Sequence, residues 1–161
     1  MLTGSFAANF YTVPRMTRDA DIVIKIQKSQ VSKVIQLFHK EFYIDKNAIL
    51  DAIDTQSMFN AIHNDSIFKI DFIICKDSSY RQVEFERRRQ IECHGQLIWI
   101  VAPEDLILSK LEWAKDSLST IQLKDVKNLL TSIKTLDLSY IDFWIQKLEL
   151  QNVYKKVLIN G

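Results

Sequence analysis

Arg15-Met16-Thr17-Arg18-Asp19-Ala20-Asp21-Ile22-Val23-Ile24 sets two carboxylates one residue apart at the head of a run that turns β-branched. In a strand, residues two apart share a face, so Asp19 and Asp21 project together. Ala20, Ile22 and Ile24 then point the other way, into a core. Two like charges side by side repel unless a cation stands between them. Hard divalent cations such as magnesium take oxygen ligands of this kind and are commonly shared with phosphates. Upstream, Gly4-Ser5 supplies a small turn. Gly4 lets the backbone approach a phosphate, and Ser5 adds a hydroxyl and amide donors at a helix start. Downstream, Lys69-Ile-Asp-Phe-Ile-Ile-Cys75 holds Asp71 inside an apolar strand pattern, with Ile70, Phe72 and Ile74 on the opposite side. A charged residue in such a run is rarely buried unless paired. If this strand lies beside the Asp19 strand, Asp71 joins Asp19 and Asp21 in one cleft. Two magnesium ions held there activate an attacking hydroxyl and neutralise charge in an in-line displacement.

The chain has 161 residues, 47% of them hydrophobic and 25% charged, enough for one domain with a substantial core. A formal net charge of +1 provides no global field toward nucleic acid or membrane. Cys75 and Cys93 lack metal-ligand spacing and read as reduced, buried thiols of a cytoplasmic protein, with a disulfide as the other reading. No apolar run approaches the roughly 20 residues that span a bilayer, and the first residues lack a signal-peptide pattern. No membrane association is expected. Gly4 is one of only 3 glycines, which makes it harder to read as filler.

Along the chain, Met1–Thr3 reads as the end of a strand and Ser5 as the cap of a helix to about Tyr11, which Pro14 stops. Strands are expected over 19–26, 67–75 and 91–101, the last interrupted at Gly95, with the second and third paired across the basic segment 81–90. Helices are expected after Ser29 or Ser32 and over 46–54, with 60–65 as a polar connection. Past Pro103 the pattern is helical: 104–115, 123–134, 140–148 and 152–158. Arg87-Arg88-Arg89 alternates with Glu84, Glu86 and Glu92 and reads as a solvated face, with an RNA patch as the alternative. Trp99, Trp113 and Trp144 are expected in the core. His39, His63 and His94 are scattered, and Tyr11 is placed to stack on a base.

Gly4-Ser5, Asp19-x-Asp21 on a strand and a single Asp71 on a later strand together resemble the signature of the nucleotidyltransferase fold, the polymerase-beta superfamily. More closely, Gly4-Ser5-Phe-Ala7, Pro14-Arg15-x-Thr17-x-Asp19-x-Asp21 and Lys69-x-Asp71-Phe are similar to uncharacterised bacterial nucleotidyltransferase-like proteins. Those are akin to the transferases of abortive-infection and toxin–antitoxin systems. The likeness extends through Ala102-Pro-Glu-Asp-Leu-Ile-Leu-Ser-Lys110-Leu and Gln122-x-x-Asp125-Val, covering roughly positions 2 to 130.

The resemblance implies an α/β (α+β) fold, a small mixed sheet flanked by helices with a helical C-terminal half. The core is expected over 1–102 and the helical part, packed on it, over 103–161. It implies that Asp19, Asp21 and Asp71 hold Mg2+ or Mn2+, that Gly4 and Ser5 meet the triphosphate of an NTP, and that Lys110 and Asp125 are accessory catalytic residues beside Asp71. As residue types, Lys110 is a point charge suited to a phosphate, Asp125 can orient Lys110 or help activate an acceptor, and Arg15 and Arg18 flank the acids and can grip phosphates. The implied reaction moves a nucleoside monophosphate to a hydroxyl on RNA (tRNA included), a protein or a small molecule. A cognate toxin or antitoxin partner also follows from the likeness, and the apolar stripes of the C-terminal helices allow a homodimer. Two departures stand against it. Toxin relatives often carry a second aspartate three residues after the Asp125 position, where this chain has Asn128. Relatives also usually have a helix and a longer strand ahead of Gly-Ser, so either the start is trimmed or the first strand is short. Both departures favour the alternative of a non-catalytic binding or antitoxin module that keeps the fold.

Overall fold

Residues 1–117 and 119–159 are described by a computed structural model, with the side chain of Asp116 left aside. The fold is mixed α/β, with seven strands in one sheet and eight α-helices among the described residues. It divides into two compact units, one of residues 1–6 and 16–100 and the other of 7–15 and 101–161. Segment 7–15, assigned to the first part on sequence, thus groups with the helices.

The first unit holds the whole sheet, in the order β3-β4-β5-β2-β1-β7-β6. Its strands are β1 (Leu2–Thr3), β2 (Asp19–Ile24), β3 (Phe42–Ile44), β4 (Met58–His63), β5 (Lys69–Ile74), β6 (Arg89–Cys93) and β7 (Gln96–Ile100). The centre is the parallel pair β2–β5, in register from Asp19↔Lys69 through Asp21↔Asp71 to Ile24↔Ile74. One face of this pair builds the core. Phe72 stacks on Phe59 at 5.1 Å and meets Phe38 edge-on at 5.3 Å. Around them lie Val31, Ile49, Ala52, Ala61 and Ile74, with Ile22, Ile24 and Ile70 packed alongside.

Two helices, α2 (Val31–Phe38) and α3 (Lys46–Thr55), bring their apolar stripes to that cluster. The Asp45 carboxylate accepts from Ala48 N at 2.7 Å and caps α3, and Gln56, at φ +49°, ends it in the left-handed region. No serine caps α2. A 3-10 turn over Lys28–Gln30 precedes it, and the Gln30 side chain accepts from Gln27 N at 2.9 Å.

Several expectations are corrected. Residues 58–63, read in part as a polar connection, form β4, which pairs with β3 and β5. Asn60 lies on the side that faces away from the core with Met58 and Ile62, whereas His63 shares the side of Phe59 and Ala61 and meets the Phe42 ring edge-on at 5.1 Å. The segment 91–101 is the end of a hairpin, β6–β7, turned by His94 (φ +49°) and Gly95 (φ +78°) in the two-residue geometry that requires positive φ twice. β7 pairs with β1 and β6, so it is not a neighbour of β5. The basic segment contains α4 (Ser79–Glu86), and Glu84 is buried against Arg81 rather than solvated. Trp99 and Trp113 are exposed, at 45% and 64%. Their apolar runs are real, but these two positions fall on the outer side of their elements. Helix α1 (Gly4–Ala8) is shorter than expected and continues as turns.

The second unit contains α5 (Pro103–Ser117), α6 (Thr120–Ser132), α7 (Leu138–Lys147) and α8 (Gln151–Ile159). Pro103, Glu104 and Asp105 form the first turn of α5, where a missing N–H costs nothing and acids favour the helix dipole. Both acids are buried and used. Glu104 accepts from Asp137 N at 3.3 Å, and Asp105 accepts from the Tyr140 hydroxyl at 2.6 Å, fixing α7 on α5. Leu106, Ile107, Leu111, Val126, Leu129, Ile141 and Leu150 form its core. No helix of the described residues is long and apolar enough to cross a membrane.

Candidate active site

The side of β2–β5 facing away from the aromatic core is polar toward the amino ends of the strands, with Val23 and Ile73 beyond. Register and alternation put Asp19 beside Lys69 and Asp21 beside Asp71 on that side. The row through Asp71 continues to exposed Asn60 on β4 and buried Thr3 on β1. The strand pairing anticipated from sequence is present, and it places the three aspartates on one face.

Asp71 is buried at 6% exposure, and its two oxygens differ. Oδ2 takes an ion pair from Lys69 Nζ at 2.9 Å. Oδ1 is buried without a hydrogen-bond partner. A buried carboxylate oxygen with nothing to accept from is costly, so it marks a place where a ligand improves the structure. The Lys69 ammonium is held above its ordinary pKa, first by the hydrogen bond to Asp71, against some burial, then by the charges of Asp71, Asp19 and Asp21. All three acids are therefore felt at one cation. Lys69 was not singled out on sequence, although the i, i+2 spacing with Asp71 put both on one face.

Among the described residues, no three His, Cys, Asp or Glu side chains are gathered to hold a metal ion by themselves. The residues fit a divalent cation in a narrower way. Asp21 and Asp71 carry hard oxygen donors, with Oδ1 of Asp71 lacking a hydrogen-bond partner, and magnesium commonly takes its further ligands from phosphates. Gly4 is tied to this face by space. A Cβ there would lie 1.9 Å from Asp21 Oδ2, and its φ of +66° is unfavourable for other residues. Ser5 follows it in α1, half-buried, and Arg18 is exposed just ahead of β2, its carbonyl accepting from Lys69 N at 3.4 Å.

The other expected residues meet in the second unit. Asp125, on α6, is 6% exposed. Its Oδ2 accepts from Lys110 Nζ at 2.8 Å and from Arg15 Nη2 at 3.0 Å, and its Oδ1 accepts from Arg15 Nε at 3.2 Å. Lys110, on α5, is only 3% exposed and also donates to Gln122 Oε1 at 3.0 Å. Burial pushes the Asp125 carboxyl up, but the bonds and charges of Arg15 and Lys110 outweigh it and leave the group below the usual carboxylate range. Lys110, expected as a charge suited to a phosphate, is thus buried in an ion pair with Asp125. A cavity of about 360 Å³ borders this cluster, lined by Arg15, Lys124, Asp125 and Asn128 among others. The Tyr11 hydroxyl donates to Val101 O at 2.7 Å. A second cavity of about 510 Å³, beyond the carboxyl ends of β2 and β5, contains none of the three acids.

Two solved structures share this architecture. The lincosamide antibiotic adenylyltransferase LnuA, lincomycin-bound, superposes with a TM-score of 0.52 at 15% identity, covering 82% of this chain and 85% of its own. An antigenic nucleotidyltransferase-like protein from Paracoccidioides brasiliensis does so at 0.54 and 14% identity, covering 96% and 83%. The fold is the nucleotidyltransferase fold. Neither a protein-family model nor a curated protein matches the chain by sequence.

Two outcomes follow from the geometry. Gly4→Ala should lower stability by roughly 1–3 kcal/mol and force the Asp21 carboxylate aside, read from urea midpoints. Asp125→Ala, which strands Lys110 in the second unit, should cost roughly 3–5 kcal/mol, whereas Lys110→Met with Asp125→Leu should come close to neutral by comparison. Because the folded pKa of Asp125 is depressed, its contribution is complete above the ordinary value of 3.8 and is lost as pH falls through the lower folded value. Urea midpoints of the wild type should therefore drop across that acid range, and the double variant should drop less.

Proposed function

We propose that the chain is a magnesium-dependent nucleotidyltransferase that moves a nucleoside monophosphate from an NTP to a hydroxyl acceptor and releases pyrophosphate. The observation that carries this reading is the buried, unpartnered Oδ1 of Asp71 beside Asp21, on the polar side of the central parallel pair. The nucleotidyltransferase fold supports it, as does the adenylyltransferase activity in the name of LnuA.

Asp21 and Asp71, with Asp19 next to them, are the residues that hold the cation. When bound, magnesium or manganese neutralises the charge that develops on the transferring phosphate. The chain's own contributions are separate. Asp71 Oδ1 accepts the proton of the acceptor hydroxyl. Lys69 balances the acids and turns to the incoming phosphates as Asp71 is engaged. Gly4 leaves the space beside Asp21 clear, the Ser5 hydroxyl meets the triphosphate, and exposed Arg18 grips it. Arg15, Lys110 and Asp125 act as positioning residues that fix α5 against α6. The acceptor is a hydroxyl of RNA, protein or a small molecule.

Purified protein with magnesium, NTPs labelled at the α-phosphate and separate RNA, protein and small-alcohol acceptors should transfer label. Asp71→Asn and Asp21→Asn should each lower the rate roughly a hundredfold or more with unchanged circular dichroism. Transfer that survives both substitutions together overturns the assignment.

A second reading is favoured by two observations: Lys69 already pairs with Asp71, and no three-ligand metal group is gathered among the described residues. On it, the chain keeps the fold as a non-catalytic partner module of a toxin–antitoxin pair. Calorimetry separates the two. The enzyme requires NTP affinity that depends on magnesium and on Asp71, and the partner module shows no such dependence.

A further inference from the structure

Beyond the acid row, the same side of the sheet changes character within the first unit. On β4, Met58 lies opposite Ile73 of β5, Asn60 opposite Asp71 and Ile62 opposite Lys69. Ile62 in turn lies opposite Tyr43 on the edge strand β3. Tyr43 is 63% exposed, Met58 45% and Ile62 43%. Their sequence neighbours Phe42, Ile44, Phe59 and Ala61 turn the other way, into the aromatic core. Three large, mostly apolar side chains thus form an open shelf that begins one strand from Asp71, with exposed Asn60 at its inner margin. With strands about 4.8 Å apart, the shelf reaches roughly 10 Å from β5 to β3. Among the described residues, the only cation on this side of β3, β4 and β5 is Lys69, and it is paired with Asp71.

We propose, resting on the transfer reading of the acid row, that this shelf seats the acceptor, a small uncharged molecule whose hydroxyl is carried on a ring-bearing apolar body. In that reaction the acceptor oxygen forms a bond to the α-phosphorus and the bond to pyrophosphate breaks. The hydroxyl proton passes to Asp71 Oδ1. The forming and breaking bonds lie in line. The triphosphate is assigned to Gly4 and Ser5, which follow β1 on one side of β2, so the attacking oxygen enters from the opposite side, over β4. Strand order therefore sets the acceptor on Met58, Ile62 and Tyr43, with the Asn60 amide placed to hold a second polar group. An apolar body there takes these side chains out of water, and its ring packs on Tyr43. Nucleic acid fits poorly, because its affinity comes from cations facing phosphates and Lys69 is taken up by Asp71. A protein partner covers roughly 800 Å² on each side, far more than three side chains offer.

The probe is a neutral aryl glycoside, which joins a ring to sugar hydroxyls over about the length of the shelf, with glycerol and an oligouridylate as comparison arms. Ligand-observed NMR reads its binding without any transfer. Wild type should bind the glycoside and not glycerol. Tyr43→Ala and Ile62→Ser should each weaken binding about fivefold to twentyfold. Leu37→Ala removes a comparably exposed side chain from α2, which packs on the core side of the sheet, and should bind as wild type does. In the label-transfer assay the two shelf variants should raise the KM for the glycoside by the same factor, and wild type should transfer faster to the glycoside than to oligouridylate. Glycoside binding that the shelf variants lose, with no label transfer from any NTP, sinks the transfer reading and leaves the shelf as a site for such compounds. Transfer to oligouridylate with no glycoside binding does the reverse. No glycoside binding by wild type, undiminished binding by both shelf variants with native circular dichroism, or faster transfer to oligouridylate overturns the proposal.

Discussion

The in-register parallel pairing of β2 with β5 sorts two strands at once. Ala20 with Ile70, Ile22 with Phe72 and Ile24 with Ile74 go to the aromatic core, which sends Asp19 with Lys69 and Asp21 with Asp71 to the opposite side. A slip of one residue would carry the apolar set out of the core and the acids into it. The hydrophobic effect therefore holds the carboxylates in line, though none of the core side chains touches chemistry. Phe72 illustrates the coupling. Its ring packs between Phe59 and Phe38, and its backbone position places Asp71 immediately before it. Gly4 adds a steric constraint from the other side, since no side chain fits between it and Asp21.

The parts of this arrangement that were legible in the sequence are those set by local periodicity. Asp19-x-Asp21 and Asp71 between isoleucine and phenylalanine announce both strands and the side on which the acids lie, and Pro103-Glu104-Asp105 announces the start of α5. What was not legible depends on contacts distant in sequence. Met58-Phe-Asn-Ala-Ile-His63 alternates in burial but not in residue type, so Asn60 and His63 look like a connection until β3 and β5 supply partners on both sides. The apolar runs of β5 and β7 suggest neighbours, yet β2 and β1 intervene, because a run of isoleucines does not encode which strand it pairs with. Trp99 looks like core by residue type and is exposed by its parity on β7. Lys110 reads in the sequence as a charge suited to a phosphate, and its burial follows only from Asp125, fifteen residues on, and Arg15, far upstream.

Two of the carboxylates buried with cations, Asp125 and Asp71, differ in how fully their oxygens are answered. Asp125 receives bonds on both oxygens from Arg15 and Lys110, so its charge is fully answered within the second unit. Removing one partner there leaves an uncompensated buried ion, while the intact cluster has no further need of a ligand. Asp71 is answered on one oxygen only. Its cation, Lys69, lies on the strand two residues away, is itself about one third exposed, and faces Asp19 and Asp21 as well. One ammonium cannot neutralise three carboxylates. Asp71 keeps an unmet acceptor on a central strand. On the function proposed above, that acceptor is met by a cation that brings its own anionic ligands. Hydrogen-bond accounting thus separates Asp71, with one oxygen unmet on β5, from Asp125, whose two oxygens are both bonded.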